Sequence, residues 1–341
     1  MTDPHLSQLI RRIAGNTAAE DILGTLQVDR TFLIESAGTV SRGAFAMALH
    51  ALLFQDLLGR VPMAAAYVAD RRRQRERIVY DHGALRTVRL GAKPTGAQPA
   101  GAAAFSRILE PLGYYLAGTY PLDRLRMTGR GFTHREYPEA LPQFFLSELH
   151  VDRFSKEFQG AAERVFGASR DPLTLCSHIA LAQFAEQGRC EMKIAAPALK
   201  EIVCAFGRWH DMPTLADYRI LLSESAEGAW ISTEGSALNH ASERVADVAM
   251  TACAQRSLGR PVKDGIETSA AGTVRQTAFK ADPVQRLFRA ADGSEVELTV
   301  PGSFYEFISR DTTLGADGKK RLDLRFDDKS PQGSFKMTAA G

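Results

Sequence analysis

The chain has 341 residues, 45% of them hydrophobic and 24% charged, with a formal net charge of +2. That much apolar material builds one large core or two modest ones, and the near-neutral balance lacks the clustered basic excess of a nucleic-acid binder. The longest apolar run, 44–54, is broken by His50 and too short to span a bilayer. The N-terminus has no apolar stretch of signal-peptide type, and Cys176, Cys190, Cys204 and Cys253 show no zinc-knuckle spacing. The expectation is a cytoplasmic protein with reduced thiols and no membrane partner.

Residues 1–75 read as a helical N-terminal segment. Leu6, Ile10 and Ile13 recur at helical spacing, and Phe45, Leu49, Leu52 and Leu53 do so again after Ser41, a capping residue. A core face explains that stripe better than a partner-binding one. The basic run Arg71–Arg77 contains Gln74 and Glu76 and reads as a solvated helix end.

Residues 76–152 change character. Ile78, Tyr80, His82, Ala84 and Arg86 are spaced to share one face of a strand. A Gly/Pro-rich loop (91–101), a short helix (102–113) and three strand-like stretches ending at 143–151 follow. Residues 153–228 read as a helical insertion, with Asp171-Pro172 as a helix start. Strand character returns around Trp230 and fills 229–311: a first strand at 236–245, a helix at Val248–Leu258, hairpins over 266–279 and 284–300 with an Asp292-Gly293 turn, and a last strand at 302–310. The polar segment 312–341 is expected to close the pocket.

The two β-rich blocks repeat one pattern: strand, helix, then three strands. Their first strands, 80–86 and 238–244, each hold a His, a small residue after it and an Arg four beyond it; Glu148 lies 66 residues after His82, and Glu306 lies 66 after His240. A duplicated βαβββ module would leave such a trace. The fold class expected is α+β, with paired modules forming a half-open curled sheet of vicinal-oxygen-chelate type. The pattern resembles that superfamily, and the resemblance implies metal ligands on first and last strands, but a fold alone does not specify a reaction.

In that arrangement His82, His240 and Glu306 make a two-histidine, one-carboxylate metal site, the donor set of non-haem iron(II) oxygenases. Glu306 stands between Phe304, Tyr305, Phe307 and Ile308, where an ionised carboxylate is costly without a cation or strong hydrogen bonds. A salt bridge to Arg310 or Arg86 would also satisfy it, and without the repeat the two readings weigh equally. His82 or His240 alone reads as a half-buried, satisfied histidine. His5, His50, His134, His150, His178 and His210 lack the symmetric placement and read as surface or packing residues. Glu148, beside His150, is the nearest rival, either as a fourth ligand or at the cup rim. Arg86, on the same face as His82, is placed to hold a distal carboxylate, or else pairs with a structural acid.

Longer strings extend this reading. VSRGAFAMALHALLFQDLLGRVP, YDHGALRTV, ILEPLGY, GTYPLDRLRMTGR, HREYPEALPQFFLSELH, LNHASERV and PGSFYEFISRD together resemble the 2-oxoadipate dioxygenase/decarboxylase (hydroxyglutarate synthase) family over about residues 40–311. The resemblance implies Fe(2+) bound by His82, His240 and Glu306, Arg86 as the substrate-holding arginine, and Ser330 as a pocket residue. It also implies conversion of a 2-oxo acid, 2-oxoadipate, and O2 to 2-hydroxyglutarate and CO2, as in lysine degradation. Against the longer members of that family the chain is expected to lack an insertion between Glu306 and the C-terminal segment, which touches pocket size rather than the triad. A glyoxalase-like isomerase or lyase using Glu148, and a non-catalytic binding protein on the same fold, are the alternatives.

Overall fold

A computed structural model describes residues 3–315 and 318–326 of the chain. The N-terminal segment is helical, as its periodicity predicts: α1 (His5–Ala14), α2 (Asn16–Thr25), α3 (Arg30–Ile34), a two-residue β1 (Val40–Ser41), α4 (Arg42–Arg60) and α5 (Pro62–Arg73). Ser41 does cap α4, its hydroxyl accepting from the Ala44 amide. Arg71, Arg72 and Arg73 sit in the last turn of α5 and pair with Glu76, Asp21 and Asp70.

The first module runs β2 (Tyr80–Arg89), α6 (Ala103–Leu109), β3 (Tyr114–Leu122), β4 (Met127–His134) and β5 (Gln143–His150). The insertion holds α7 (Lys156–Phe166), α8 (Leu175–Gln187), β6 (Arg189–Cys190), α9 (Met192–Ala205), α10 (Leu215–Glu224) and α11 (Ala226–Glu234). The second module is β7 (Leu238–Arg244), α12 (Val248–Ser257), β8 (Glu267–Thr268), β9 (Val274–Ala278), β10 (Pro283–Arg289), β11 (Glu295–Pro301) and β12 (Phe304–Arg310). A small ribbon of β13 (Thr312–Leu314) and β14 (Lys320–Leu322) follows.

Eight strands form one sheet in the order β3-β4-β5-β2-β7-β12-β9-β8. The order is symmetric about the β2–β7 seam, which is antiparallel, while β2–β5 and β7–β12 are parallel. Two βαβββ modules joined through their first strands produce this pattern. One face of the sheet packs on α1, α4, α5 and α9 through residues such as Leu85, Leu146, Ala241 and Phe307. A second core joins α7, α10 and α11 to Val88, Leu149 and the β10–β11 hairpin, where Tyr218 and Phe288 rings lie 4.5 Å apart. Among the described residues, no single helix is long and apolar enough to cross a membrane.

Three expectations are corrected. Trp230 lies inside helix α11, not at the start of a strand, because Ser225 caps that helix and carries it on to Glu234. Asp171-Pro172 does not start a helix: α8 begins at Leu175 under a Thr174 cap, and Asp171 is taken by a two-pronged pair with Arg107. A register shift between Tyr80 and His82 puts Tyr80 among the helix rings of His50 and Phe54, so it does not share a face with His82. The hairpin expected over 284–300 is present as β10–β11, a sheet of its own inserted between β9 and β12.

That insertion bears on the repeat. His82 is in register with Gln143 and Ala84 with Phe145, whereas His240 is in register with Phe304 and Ser242 with Glu306. The structural counterpart of Glu306 is therefore Phe145. Glu148 is in register with Thr87, on the alternate face from Gln143, Phe145 and Ser147. The duplication is present, but the equal 66-residue spacings are not its imprint.

Candidate metal centre in the curled sheet

His82 on β2, His240 on β7 and Glu306 on β12 point from adjacent strands to one place. One ligand atom from each lies within 4.8 Å of the others, and all three side chains are buried. Nε2 of His82 is 3.6 Å and Nε2 of His240 is 3.9 Å from Oε1 of Glu306. Register explains the convergence: Ser242 on β7 is the partner of both His82 on β2 and Glu306 on β12, and His240 stands two residues before it on the same strand. The His240 ring stacks on Phe304, with centroids 4.7 Å apart, which fixes its plane.

The surroundings are polar in an ordered way. The Ser242 hydroxyl donates to Oε1 of Glu306 at 2.6 Å and lies 3.0 Å from Nε2 of His82. Asp81 Oδ1 is 3.0 Å from Nδ1 of His82. Arg310 and Arg244 both pair with Asp81 at 2.9 Å. Burial alone would push the Asp81 carboxyl up, but Arg310, His82 and Arg244 outweigh it and hold it well below the usual carboxylate range. Burial, with His82 and Arg86 nearby, holds His240 well below the ordinary histidine value, so its imidazole is neutral, the form that ligates metals.

These donors fit a divalent first-row ion. Two imidazole nitrogens and one carboxylate oxygen sit in one buried cluster, and His82 carries the carboxylate on its other nitrogen that metal-binding histidines usually have. Arg310 is engaged by Asp81 and Arg86 by Glu227, at 2.6 Å. Glu148 lies outside the cluster. It accepts from the Ala102 amide at 2.6 Å and pairs with Arg130 at 3.2 Å. His150 bonds to Thr128, His50 to Tyr114 and His210 to the Ser232 carbonyl, all away from the site.

Arg86 is fully buried, 0% exposed, and its guanidinium lies 4.8 Å from the Trp230 ring centroid. The chain after β14 crosses the cup: Arg310 Nη1 donates to the carbonyls of Asp323 and Arg325, and Gln143 Nε2 to that of Leu324. This strap sets the Phe326 ring 5.0 Å from the His82 ring. Ser330, the remaining expected pocket residue, lies outside the described residues. Asp81, Ser242, Glu227, Trp230 and Phe326 were not anticipated. Of these, Ser242 alone carried a sequence signal, standing two residues from His240 on a strand.

The paired βαβββ modules and their cupped sheet define a glyoxalase-like, vicinal-oxygen-chelate fold. The chain matches the model of the 2-oxoadipate dioxygenase/decarboxylase family over residues 55–334, and it belongs to that family. A glyoxalase-superfamily protein of Ralstonia eutropha JMP134 superposes with a TM-score of 0.89 at 46% identity, covering 95% of this chain and 98% of that one. A hydroxyglutarate synthase of Oryza sativa, crystallised in complex with 2-oxoadipate, shares the fold with a TM-score of 0.64 at 20% identity, over 89% of this chain and 96% of that one. The chloroplastic/amyloplastic 2-oxoadipate dioxygenase/decarboxylase of Oryza sativa subsp. japonica is 24% identical over 253 residues, or 69% of this chain. The match spans 60% of the length of that rice protein.

Proposed function

We propose that this chain is a cytoplasmic, iron(II)-dependent dioxygenase/decarboxylase of lysine-degradation type, converting 2-oxoadipate and O2 to 2-hydroxyglutarate and CO2. The observation that carries the reading is the buried cluster of His82, His240 and Glu306 in a chain of this family. Two histidines and one carboxylate suit iron(II) and leave coordination positions open. The atoms balance with no second oxo acid, since the substrate supplies its own 2-oxo carboxylate.

When bound, iron(II) supplies the redox chemistry, bringing O2 and the 2-oxo acid together. The chain does the rest. His82 and His240 each offer a ring nitrogen, and the Asp81 carboxylate accepts at Nδ1 of His82 so that Nε2 is left to the metal. Ser242 holds one oxygen of Glu306. Arg86, four residues along β2 from His82, takes the distal carboxylate and so fixes the substrate's orientation. Phe145, Phe304 and Phe326 line the cup with apolar surface that excludes water.

The test is an oxygen electrode. Protein loaded with iron(II) should consume O2 with 2-oxoadipate and release 2-hydroxyglutarate and CO2 in equal amounts. His82→Ala should abolish this. Loss of 2-oxoadipate without O2 uptake, or activity with zinc alone, would overturn the proposal.

A further inference from the structure

We propose that Glu227 is the specificity-determining partner of Arg86, its charge setting how strongly the far end of the cup takes the second carboxylate of a dicarboxylic 2-oxo acid. The inference rests on the preceding reading of Arg86 as the group that meets this carboxylate.

Helix α11 ends the helical insertion and brings two side chains, one turn apart, to a single guanidinium. Glu227 Oε2 lies 2.6 Å from Nη2 of Arg86, and the Trp230 ring centroid lies 4.8 Å from its Cζ. Trp230 is tied in turn, its indole N–H donating at 3.1 Å to the Gly302 carbonyl just before β12. Glu227 occupies the first turn of α11, where the helix dipole favours a negative charge. Arg86 and Glu227 are 0% and 2% exposed.

A buried arginine facing an anion alone would hold it with its full charge. Paired with Glu227, Arg86 forms a nearly neutral unit, and the partner carboxylate repels an incoming one. The distal carboxylate of a substrate must therefore share the guanidinium. That arrangement lowers affinity for any dicarboxylate while keeping the guanidinium plane fixed between Glu227 and Trp230. Helix α11 thus supplies the element that sets selectivity around Arg86.

Binding without turnover separates this role from chemistry. The iron(II)-loaded protein is titrated anaerobically with 2-oxoadipate and with 2-oxohexanoate, its monocarboxylic counterpart of the same length. Glu227→Gln keeps the shape and removes the charge, so 2-oxoadipate should bind about ten-fold tighter or more, with 2-oxohexanoate changed by no more than about two-fold. Glu227→Asp draws the carboxylate back from Arg86 and should give a smaller shift in the same direction; it decides the matter if the Gln variant does not fold. An unchanged ratio of the two affinities, or a weaker grip on 2-oxoadipate, would overturn the role of Glu227 while wild-type binding of both acids leaves the parent reading standing. Failure of the wild-type protein to bind either acid would overturn both.

Discussion

Asp81 and His82 are neighbours in sequence, yet their side chains meet inside the cup, with Oδ1 of the first 3.0 Å from Nδ1 of the second. Asp81 is fixed from the far side by Arg310, so the ring of His82 is oriented by a buried ion pair. Asp81→Asn should weaken iron(II) binding by about ten- to a hundred-fold, read by competition with a chromogenic chelator. It should also lower the melting point, because Arg310 loses a buried partner. Melting that falls with unchanged metal affinity would show Asp81 to be structural only.

Ion binding should stabilise the fold. At roughly a hundred times its dissociation constant, iron(II) should add about 2.7 kcal/mol, seen as a higher melting point in anaerobic calorimetry. Chelation should reverse the gain. His240→Ala or Glu306→Ala should remove it, whereas Glu148→Gln should keep it, since Glu148 is engaged by Ala102 and Arg130 on the other face of the sheet.

The strap over the cup is held by side chains of the sheet beneath it. Gln143 Nε2 donates to the Leu324 carbonyl at 3.0 Å. Gln143→Leu removes that bond and should speed amide hydrogen exchange in 323–326. KM for the 2-oxo acid should rise several-fold, with metal affinity unchanged. Equal exchange rates in the two proteins would count against any such hold.

Glu243, on the helix-covered face, gives a pH signature. Burial lifts its carboxyl to about 7, with bonds from Tyr67 and Tyr305 working against the lift. The folded value exceeds the unfolded one, so the folded state holds the proton better. The stability this gives is complete below the unfolded value, near 4.5, and is lost as pH rises through about 7. Glu243→Gln should therefore raise stability at pH 8 relative to wild type by up to about 3 kcal/mol and change little at pH 4. Denaturant unfolding at the two pH values checks it.

Much of this was legible in the chain because strand periodicity is local. Two residues per repeat place His82 and Arg86 on one side of β2, and the apolar neighbours of Glu306 marked it as a buried charge in need of compensation. What the chain hid depends on register and on contacts between distant segments. The β10–β11 hairpin looks like any strand pair in sequence, yet its insertion makes Phe145, not Glu148, the counterpart of Glu306. Trp230 carries strand propensity, but its helix is set by the Ser225 cap. Glu227 has no local mark at all, since its meaning comes from Arg86, which is brought to it by folding.

The seam between β2 and β7 has one more implication. His82 belongs to one half of the duplicated body, while His240 and Glu306 belong to the other. An ion held by all three would be a rivet through the join between the two modules. The second copy supplies two of its anchors, and the first, with Phe145 where a carboxylate would stand, is released to become the wall.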